Sequence, residues 1–249
     1  MKDIIAIVLA AGQGKRMGSE ETKLPKAMFE LAGKPMIRYN IDNLKNAGVD
    51  DIVLVVGFEK EKIIDYLKDE VQYVEQFERL GTGHATAMAK EKVSGKSKWV
   101  IVSYGDMPFC QPESIKKLVE KVEEEKLTMG MLTVHFADPE YFAYGRVIRD
   151  ENGKITKNIE QRDCDEVQLK IKDCNPSFYI FDNEWLWENI KKLGTANAQK
   201  EYYLTDLIEL AAKENGVVDV PVGNEWEAFG INNPEQLKEA EEILQTKMK

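Results

Sequence analysis

The residues of this chain with chemistry to offer gather first behind an apolar run. Gly12, Gly14 and Gly18 follow Ile4–Leu9, and Lys15, Arg16, Lys23 and Lys26 stand in the same stretch. Small residues let backbone N–H groups approach phosphate oxygens, and nearby cations offset the phosphate charge. Two familiar phosphate motifs are not met. The third glycine of G-x-G-x-x-G falls on Met17, and no window reads G-x-x-x-x-G-K-[ST]. On glycine spacing alone a plain tight turn fits as well as a phosphate loop, and a solvated basic loop is the bland reading of the four cations. Asp106, behind the apolar run Trp99–Ser103, offers a carboxylate at a strand end, with a helix N-cap before Pro108 as its structural alternative. No Ser-His-Asp or Cys-His constellation stands out. Cys110, Cys164 and Cys174 form no C-x-x-C pair, and with only His84 and His135 beside them a zinc site or disulfide framework is not expected. Free thiols in a reducing compartment are, and both histidines read as structural.

These groups need elements to hold them. Ile4–Leu9 is continuous, β-branched and apolar, as a parallel strand covered on both faces requires. Helices are expected over Pro35–Ala47 (closed by Gly48), Glu59–Leu67, Thr82–Lys92 and Pro112–Glu125, and strands over Ile52–Val56, Val71–Val74, Trp99–Ser103 and Met129–Phe136. This alternation predicts an α/β fold, a Rossmann-like, mostly parallel sheet with helices on both faces. The glycine loop and Asp106 then lie at carboxyl ends of strands, where open α/β sheets bind ligands. After residue 136 the rhythm changes. Arg146–Arg149 and Lys154–Glu160 flank Asn152-Gly153, a hairpin signal. Ser177–Phe181 and Val217–Val222 read as strands, and Trp185–Lys192, Tyr203–Lys213 and Glu235–Thr246 as helices. The expectation is a single domain over 1–249, with an antiparallel addition to the sheet's edge within 137–232 and a terminal helix in 233–249.

The 249 residues carry 34 basic and 44 acidic side chains, a net charge of −10. That balance argues against nucleic acid or an anionic membrane as partner, because such binding scales with clustered Lys and Arg. A small phosphorylated ligand needs only a few placed cations. Apolar residues at 43% and charged residues at 31% suit a soluble globular protein, and a chain this long buries roughly 70–75% of its unfolded surface without a staple. Ile4–Ala11 follows Lys2 as the centre of a signal peptide would, but Asp3 interrupts the basic start and no small-residue cleavage site follows. No run approaches the ~18 apolar residues of a membrane span. A cytoplasmic protein is expected.

The longer pattern is more specific. Leu9-Ala10-Ala11-Gly12-Gln13-Gly14-Lys15-Arg16-Met17, then Leu24-Pro25-Lys26, resembles the L-A-A-G-x-G-x-R-M … P-K loop of the sugar-nucleotide pyrophosphorylases. Gln76 with Leu80-Gly81-Thr82-Gly83-His84-Ala85 resembles the uracil-reading segment of N-acetylglucosamine-1-phosphate uridylyltransferases, and Tyr104-Gly105-Asp106 resembles their metal motif. Tyr144-Gly145-Arg146, Ile159-Glu160, Asn175, Asn197-Ala198-Gln199, Glu201-Tyr202-Tyr203-Leu204-Thr205-Asp206 and Gly230-Ile231-Asn232-Asn233 follow in the family's order. The likeness runs from Ile4 to about Leu244 and is closest to the N-terminal uridylyltransferase domain of the bifunctional bacterial enzyme.

The resemblance implies the nucleotide-diphospho-sugar transferase fold, with residues 1–136 as the nucleotide-binding half and 137–232 as a sugar-binding lobe. It implies a Mg²⁺-dependent reaction of UTP with N-acetylglucosamine 1-phosphate, giving UDP-N-acetylglucosamine and pyrophosphate. The attacking phosphate oxygen is already ionised, so no general base is needed, and catalysis reduces to positioning and charge neutralisation. Arg16 and Lys26 carry over as catalytic cations. Leu9, Ala10, Ala11, Gly12, Gly14, Gln76, Gly81 and Thr82 carry over to the nucleotide, and Tyr104, Gly105, Gly145, Glu160, Asn175 and Asn232 to the sugar. Asp106 and Asn232 carry over as Mg²⁺ ligands, hard oxygens of the kind that ion prefers. Asn233, before Pro234 at N1, is better placed than Asn232 to cap the last helix. Two departures stand out. The acetyltransferase's hexapeptide repeat is missing, so uridylyl transfer without acetyl transfer is expected. Asn175-Pro176-Ser177 stands where the family usually reads Asn-Thr-Gly, and proline removes an N–H and fixes φ. Another hexose 1-phosphate, with UTP or dTTP, is therefore the alternative substrate, and a non-catalytic sugar-nucleotide sensor the alternative class. A monomer or weak dimer is expected.

Overall fold

The computed structural model describes residues 3–247. Among the described residues, nine α-helices and a ten-stranded sheet carry the site. The strands are β1 (Ile4–Leu9), β2 (Asp51–Val56), β3 (Gln72–Glu75), β4 (Trp99–Tyr104), β5 (Met129–His135), β6 (Gly145–Arg149), β7 (Ile155–Ile159), β8 (Asp173–Asn175), β9 (Tyr179–Asp182) and β10 (Val218–Pro221). Their order is β3-β2-β1-β4-β9-β5-β8-β6-β7, with β10 beside β5. β7, β8 and β9 run against the other strands. The helices are α1 (Ser19–Thr22), α2 (Met36–Asn46), α3 (Lys60–Leu67), α4 (Thr82–Met88), α5 (Lys90–Val93), α6 (Pro112–Glu125), α7 (Asn183–Asn189), α8 (Asp206–Glu214) and α9 (Pro234–Lys247).

β1 explains its own composition. It lies between two parallel partners, β2 and β4, and alternate side chains enter two cores. Ile4, Ala6 and Val8 pack with Ile37, Ile41 and Leu44 of α2, Ile63 and Leu67 of α3 and Leu118 of α6. Ile5 and Ile7 pack with Ala85 of α4, Leu186 of α7 and Leu207 and Ile208 of α8. A third cluster ties α9, through Ala240, to Met17, Phe109, Phe142 and Phe229. Met17, the residue that breaks the dinucleotide motif, is thus a core residue.

One expectation is corrected. The antiparallel segment is not all an addition at the edge. β9 runs inside the sheet, between β4 and β5 and antiparallel to both. Tyr179, Ile180 and Phe181 are fully buried, and buried backbone needs a hydrogen-bonding partner on each side. The β6–β7 hairpin does lie at the edge. Two helices are also shorter than their periodicity suggests. The segment from Thr82 breaks at Ala89, and α8 begins at Asp206 rather than Tyr203. Leu204 N–H is spent on Thr82 Oγ1 at 3.0 Å, which holds residues before α8 against α4 instead of in a helix.

Candidate active site

The parallel strands bring the candidate residues to one edge. Leu9 is level with both Val55 and Tyr104, so the glycine loop after β1 opens beside Gly105 and Asp106 after β4. A cavity of about 380 Å³ lies there, walled by Leu9, Ala10, Ala11, Gly12, Gly14, Lys15, Arg16, Lys26, Gln76, Gly81, Thr82, Tyr104, Gly105, Asp106 and Asn232. A second, of about 260 Å³, is walled by Glu160, Gln161, Arg162, Ser177, Gln199, Tyr203 and Tyr144. The two share Arg16, Thr82, Tyr104, Asp106, Glu201 and Asn232.

Two glycines in the first wall have steric reasons to be glycine. Gly14 has φ +74°, and a Cβ there would stand 2.7 Å from Cβ of Lys26. Gly81 has φ +108°, and a Cβ would stand 2.6 Å from the Tyr202 carbonyl. The loop therefore wraps closely over Lys26, and the α4 entrance sits directly on the segment before α8.

The charged centre is compact. The Lys26 ammonium pairs with Asp106 and donates to Asn232 Oδ1 at 2.8 Å. Arg16 reaches the same Oδ1 at 3.4 Å. Asn232 is brought there by backbone: Ile231 N–H donates to the Asp106 carbonyl at 3.1 Å. Asn233 takes the capping role, its Oδ1 accepting from Gln236 N–H at 2.8 Å, which leaves Asn232 Oδ1 to the cavity. Asp106 caps no helix, since α6 begins later, behind Gln111. Lys15 and Lys23 contribute less. Lys15 borders the first cavity but its side chain is mostly exposed, and Lys23 borders neither cavity.

At the far end of the first cavity, Gln76 is buried. Its amide nitrogen donates to the Gly81 carbonyl at 3.2 Å and lies 3.1 Å from Nδ1 of His84. Those bonds use both N–H groups, so Gln76 offers its oxygen. In the second cavity Glu160 Oε1 accepts from the Thr205 hydroxyl at 2.7 Å and from Asn158 Nδ2 at 3.2 Å. Both bonds land on one oxygen, leaving Oε2 for the cavity. Burial raises the Glu160 pKa, Asp206 and Asp163 add to the rise, and the Thr205 and Asn158 bonds oppose it.

Residues 6–166 match the model of the MobA-like NTP transferase domain, more than half of the chain. The chain belongs to that family. It is 42% identical over 245 residues to the Bifunctional protein GlmU of Caldicellulosiruptor saccharolyticus, across 97% of this chain and 52% of the relative. The GlmU of Clostridium novyi is 41% identical over 244 residues, across 98% and 52%. The chain spans about half the length of these curated relatives. Among solved structures, UDP-glucose pyrophosphorylase complexed with UDP-glucose superposes with TM-score 0.80 at 19% identity, over 98% of this chain and 99% of that one. A Bacillus anthracis protein described as a candidate glucose-1-phosphate thymidylyltransferase, in complex with sucrose, also gives TM-score 0.80, at 21% identity over 98% and 96%. At those identities the likeness is one of fold, and it agrees with the α/β architecture read from the sequence.

Within this MobA-like NTP transferase, every residue expected to meet the nucleotide borders the first cavity. The sugar set divides. Tyr104, Glu160 and Asn232 border the second cavity, and Gly105 borders the first. Gly145 and Asn175 border neither. Gly145 packs on Asn158, where a Cβ would stand 2.3 Å from its amide nitrogen, and Asn175 is buried, donating to the Tyr179 hydroxyl at 2.8 Å. Several wall residues had no role assigned from the sequence: Arg79 and Glu201 in the first cavity, and Arg162, Ser177, Gln199 and Tyr203 in the second. Gln199, Glu201 and Tyr203 lie in the Asn197–Asp206 segment that carried the resemblance, which was their available signal. Nothing local marked Arg79.

The donor set also bears on a metal. Among the described residues no cluster of three or more His, Cys, Asp or Glu could hold one. Asp106 and Asn232 aim oxygens at a single point, where the Lys26 ammonium now lies. One carboxylate and one amide oxygen suit Mg²⁺, which commonly takes its remaining ligands from water and substrate phosphates.

Proposed function

We propose that this chain is a uridylyltransferase that joins UTP and N-acetylglucosamine 1-phosphate into UDP-N-acetylglucosamine, releasing pyrophosphate. The observation that carries the reading is the shared wall. Ligands in the two cavities would meet beside Arg16, Asp106 and Asn232, with Lys26 in the same cluster, where four phosphates need their charge offset. A sugar-phosphate oxygen forms a new bond to the α-phosphorus. The bond from that phosphorus to the β-phosphate bridging oxygen breaks, and its electron pair leaves with pyrophosphate. No proton moves in this step.

Arg16 presents a planar fork to phosphate oxygens and Lys26 a compact charge. Asp106 and Asn232 would hold Mg²⁺, which supplies further charge neutralisation on the phosphates when bound. The Gln76 oxygen accepts the N3–H of uracil. Cytosine bears a lone pair at that position, so Gln76 favours UTP, and equally dTTP, over CTP. Glu160 Oε2 accepts from sugar hydroxyls. None of the helices among the described residues is long and apolar enough to cross a membrane.

The test is pyrophosphate release with a panel of nucleoside triphosphates and sugar 1-phosphates, with and without Mg²⁺. Release with UTP and N-acetylglucosamine 1-phosphate, dependent on Mg²⁺, is expected. A strong preference for glucose 1-phosphate replaces the sugar, and no release from any pair overturns the activity.

A further inference from the structure

Ser177 holds a backbone conformation that residues with a Cβ avoid, with φ +63°. It stands where β8 gives way to β9. Both strands pair with β5, Cys174 level with Val134 and Tyr179 level with Met131, and the intervening turn interrupts them. Asn175 closes that turn from behind: its Oδ1 accepts from Ser177 N–H at 2.9 Å, and its Nδ2 donates to the Tyr179 hydroxyl at 2.8 Å. The turn bond uses the Ser177 backbone. Glycine would make that bond without the strain of a left-handed φ, so the turn does not call for a hydroxymethyl group.

The hydroxyl faces elsewhere. Ser177 borders the second cavity with Thr82, Tyr104 and Glu160. Its side chain lies near the phenol groups of half-buried Tyr104 and buried Tyr179. Desolvation raises both phenol pKa values, so both keep their protons at neutral pH. The Tyr179 oxygen already accepts from Asn175, so its own O–H is available to donate to Ser177 Oγ. A Ser177 Oγ that accepts there keeps its own proton for the cavity it borders. Backbone strain kept at a cavity wall, at a position whose turn needs no side chain, is the kind of observation that leads to function.

Resting on the uridylyl-transfer reading above, we propose that Ser177 is a specificity-determining residue, donating its hydroxyl proton to an acceptor oxygen on the C2 substituent of the sugar 1-phosphate. An N-acyl carbonyl and a hydroxyl at C2 both qualify, and the C2 ammonium of glucosamine does not.

The experiment compares wild type with Ser177→Gly and Ser177→Ala, measuring kcat and KM for each substrate with N-acetylglucosamine, glucose and glucosamine 1-phosphates, together with thermal melting. Loss of one neutral hydrogen bond should raise KM for the preferred sugar 1-phosphate about 5–10-fold, in both variants. KM for UTP should stay within about twofold, and discrimination against glucosamine 1-phosphate should shrink by the same factor. Ser177→Gly should melt at or above the wild-type temperature and Ser177→Ala below Ser177→Gly, because only glycine relieves the strain. Unchanged sugar KM and unchanged preference in both variants overturn the proposal. So does a parallel rise in KM for UTP, which marks a structural role. Absence of turnover by the wild type with every sugar 1-phosphate is a separate result, since it overturns the underlying activity and the proposal with it.

Discussion

The two cavities are built by different means. The first takes much of its wall from the small residues Ala10, Ala11, Gly12, Gly14, Gly81 and Gly105, which leave backbone close to its space, with Gly14 pressed against Lys26 and Gly81 against Tyr202. The second is walled by side chains from chain segments far apart: Thr82, Tyr104, Tyr144, Glu160, Ser177, Gln199 and Tyr203. A backbone wall binds what is common to nucleotides, phosphate charge and a flat base. A side-chain wall can be altered one residue at a time. Mutations should therefore separate the cavities, with losses of rate where they meet and losses of affinity at their ends.

The largest effect is expected at the meeting point. Asp106→Asn removes the carboxylate proposed for Mg²⁺ and the partner of the Lys26 ammonium. Turnover should fall about 10³-fold and lose its dependence on Mg²⁺, with a cooperative fold retained. Pyrophosphate release across a Mg²⁺ titration, beside a circular-dichroism melt, checks this, and near wild-type activity would sink the metal assignment. Lys26→Met comes next, with a fall in kcat of about 10² and little change in either KM. A loss carried by one KM alone would assign Lys26 to one cavity and break the picture of a shared centre.

At the end of the second cavity, Glu160→Gln should keep the Oε1 bonds from Thr205 and Asn158 and lose the acceptor at Oε2. KM for the sugar 1-phosphate should rise about tenfold, as for a hydrogen bond to a charged group, and KM for UTP should hold. Stability should move the other way. Burial raises this carboxyl's pKa above its ordinary range in the folded chain, so the folded state holds the proton more tightly than the unfolded state. Stability contributed by the protonated form is then present at low pH and lost as pH rises through the raised pKa. Glutamine cannot ionise, so the variant should gain stability over wild type across that window and keep the gain at neutral pH. Denaturant melts of both proteins from mildly acidic to neutral pH decide it; a gain that does not grow with pH rejects the account.

Sequence legibility followed the same division. The glycine loop and Asp106 could be placed at one edge because strand ends leave local marks, whereas Lys26 and Gln76, which border the same cavity, were marked only through the resemblance. Asn232 was separated from its neighbour because Asn233 precedes Pro234 and so takes the cap. The course of β9 was not readable, because an apolar run such as Tyr179–Phe181 says that a strand is buried but not which partners bury it. Gly145 and Asn175 occurred in family order, yet in space they pack behind the wall, one against Asn158 and the other under Tyr179. Ser177 carried a visible departure from the usual glycine, but its direction into the cavity depends on a turn between two strands that local sequence does not define.

The smallest expected effect lies at the far end of the first cavity, and it tests whether that cavity is as independent of side chains as its wall suggests. His84 borders neither cavity, but its Nδ1 lies 3.1 Å from Gln76 Nε2. For Nδ1 to accept, the imidazole proton must be on Nε2, and this pairing fixes which way the amide faces. His84→Ala frees one N–H of Gln76. The amide can then turn its nitrogen toward the base, where it would meet the N3 lone pair of cytosine as readily as its oxygen meets the N3–H of uracil. KM for UTP should rise about fivefold, the cost of one neutral hydrogen bond. The preference for UTP over CTP should fall by more than that, because the turned amide also gains CTP. KM for the sugar 1-phosphate should not move, and Gln76→Glu should not reproduce the gain for CTP, since a carboxylate has no nitrogen to present. If the sugar KM rises with that for UTP, the α4 entrance is transmitting the change through Thr82 and Tyr104 into the second cavity, and the two regions are one site.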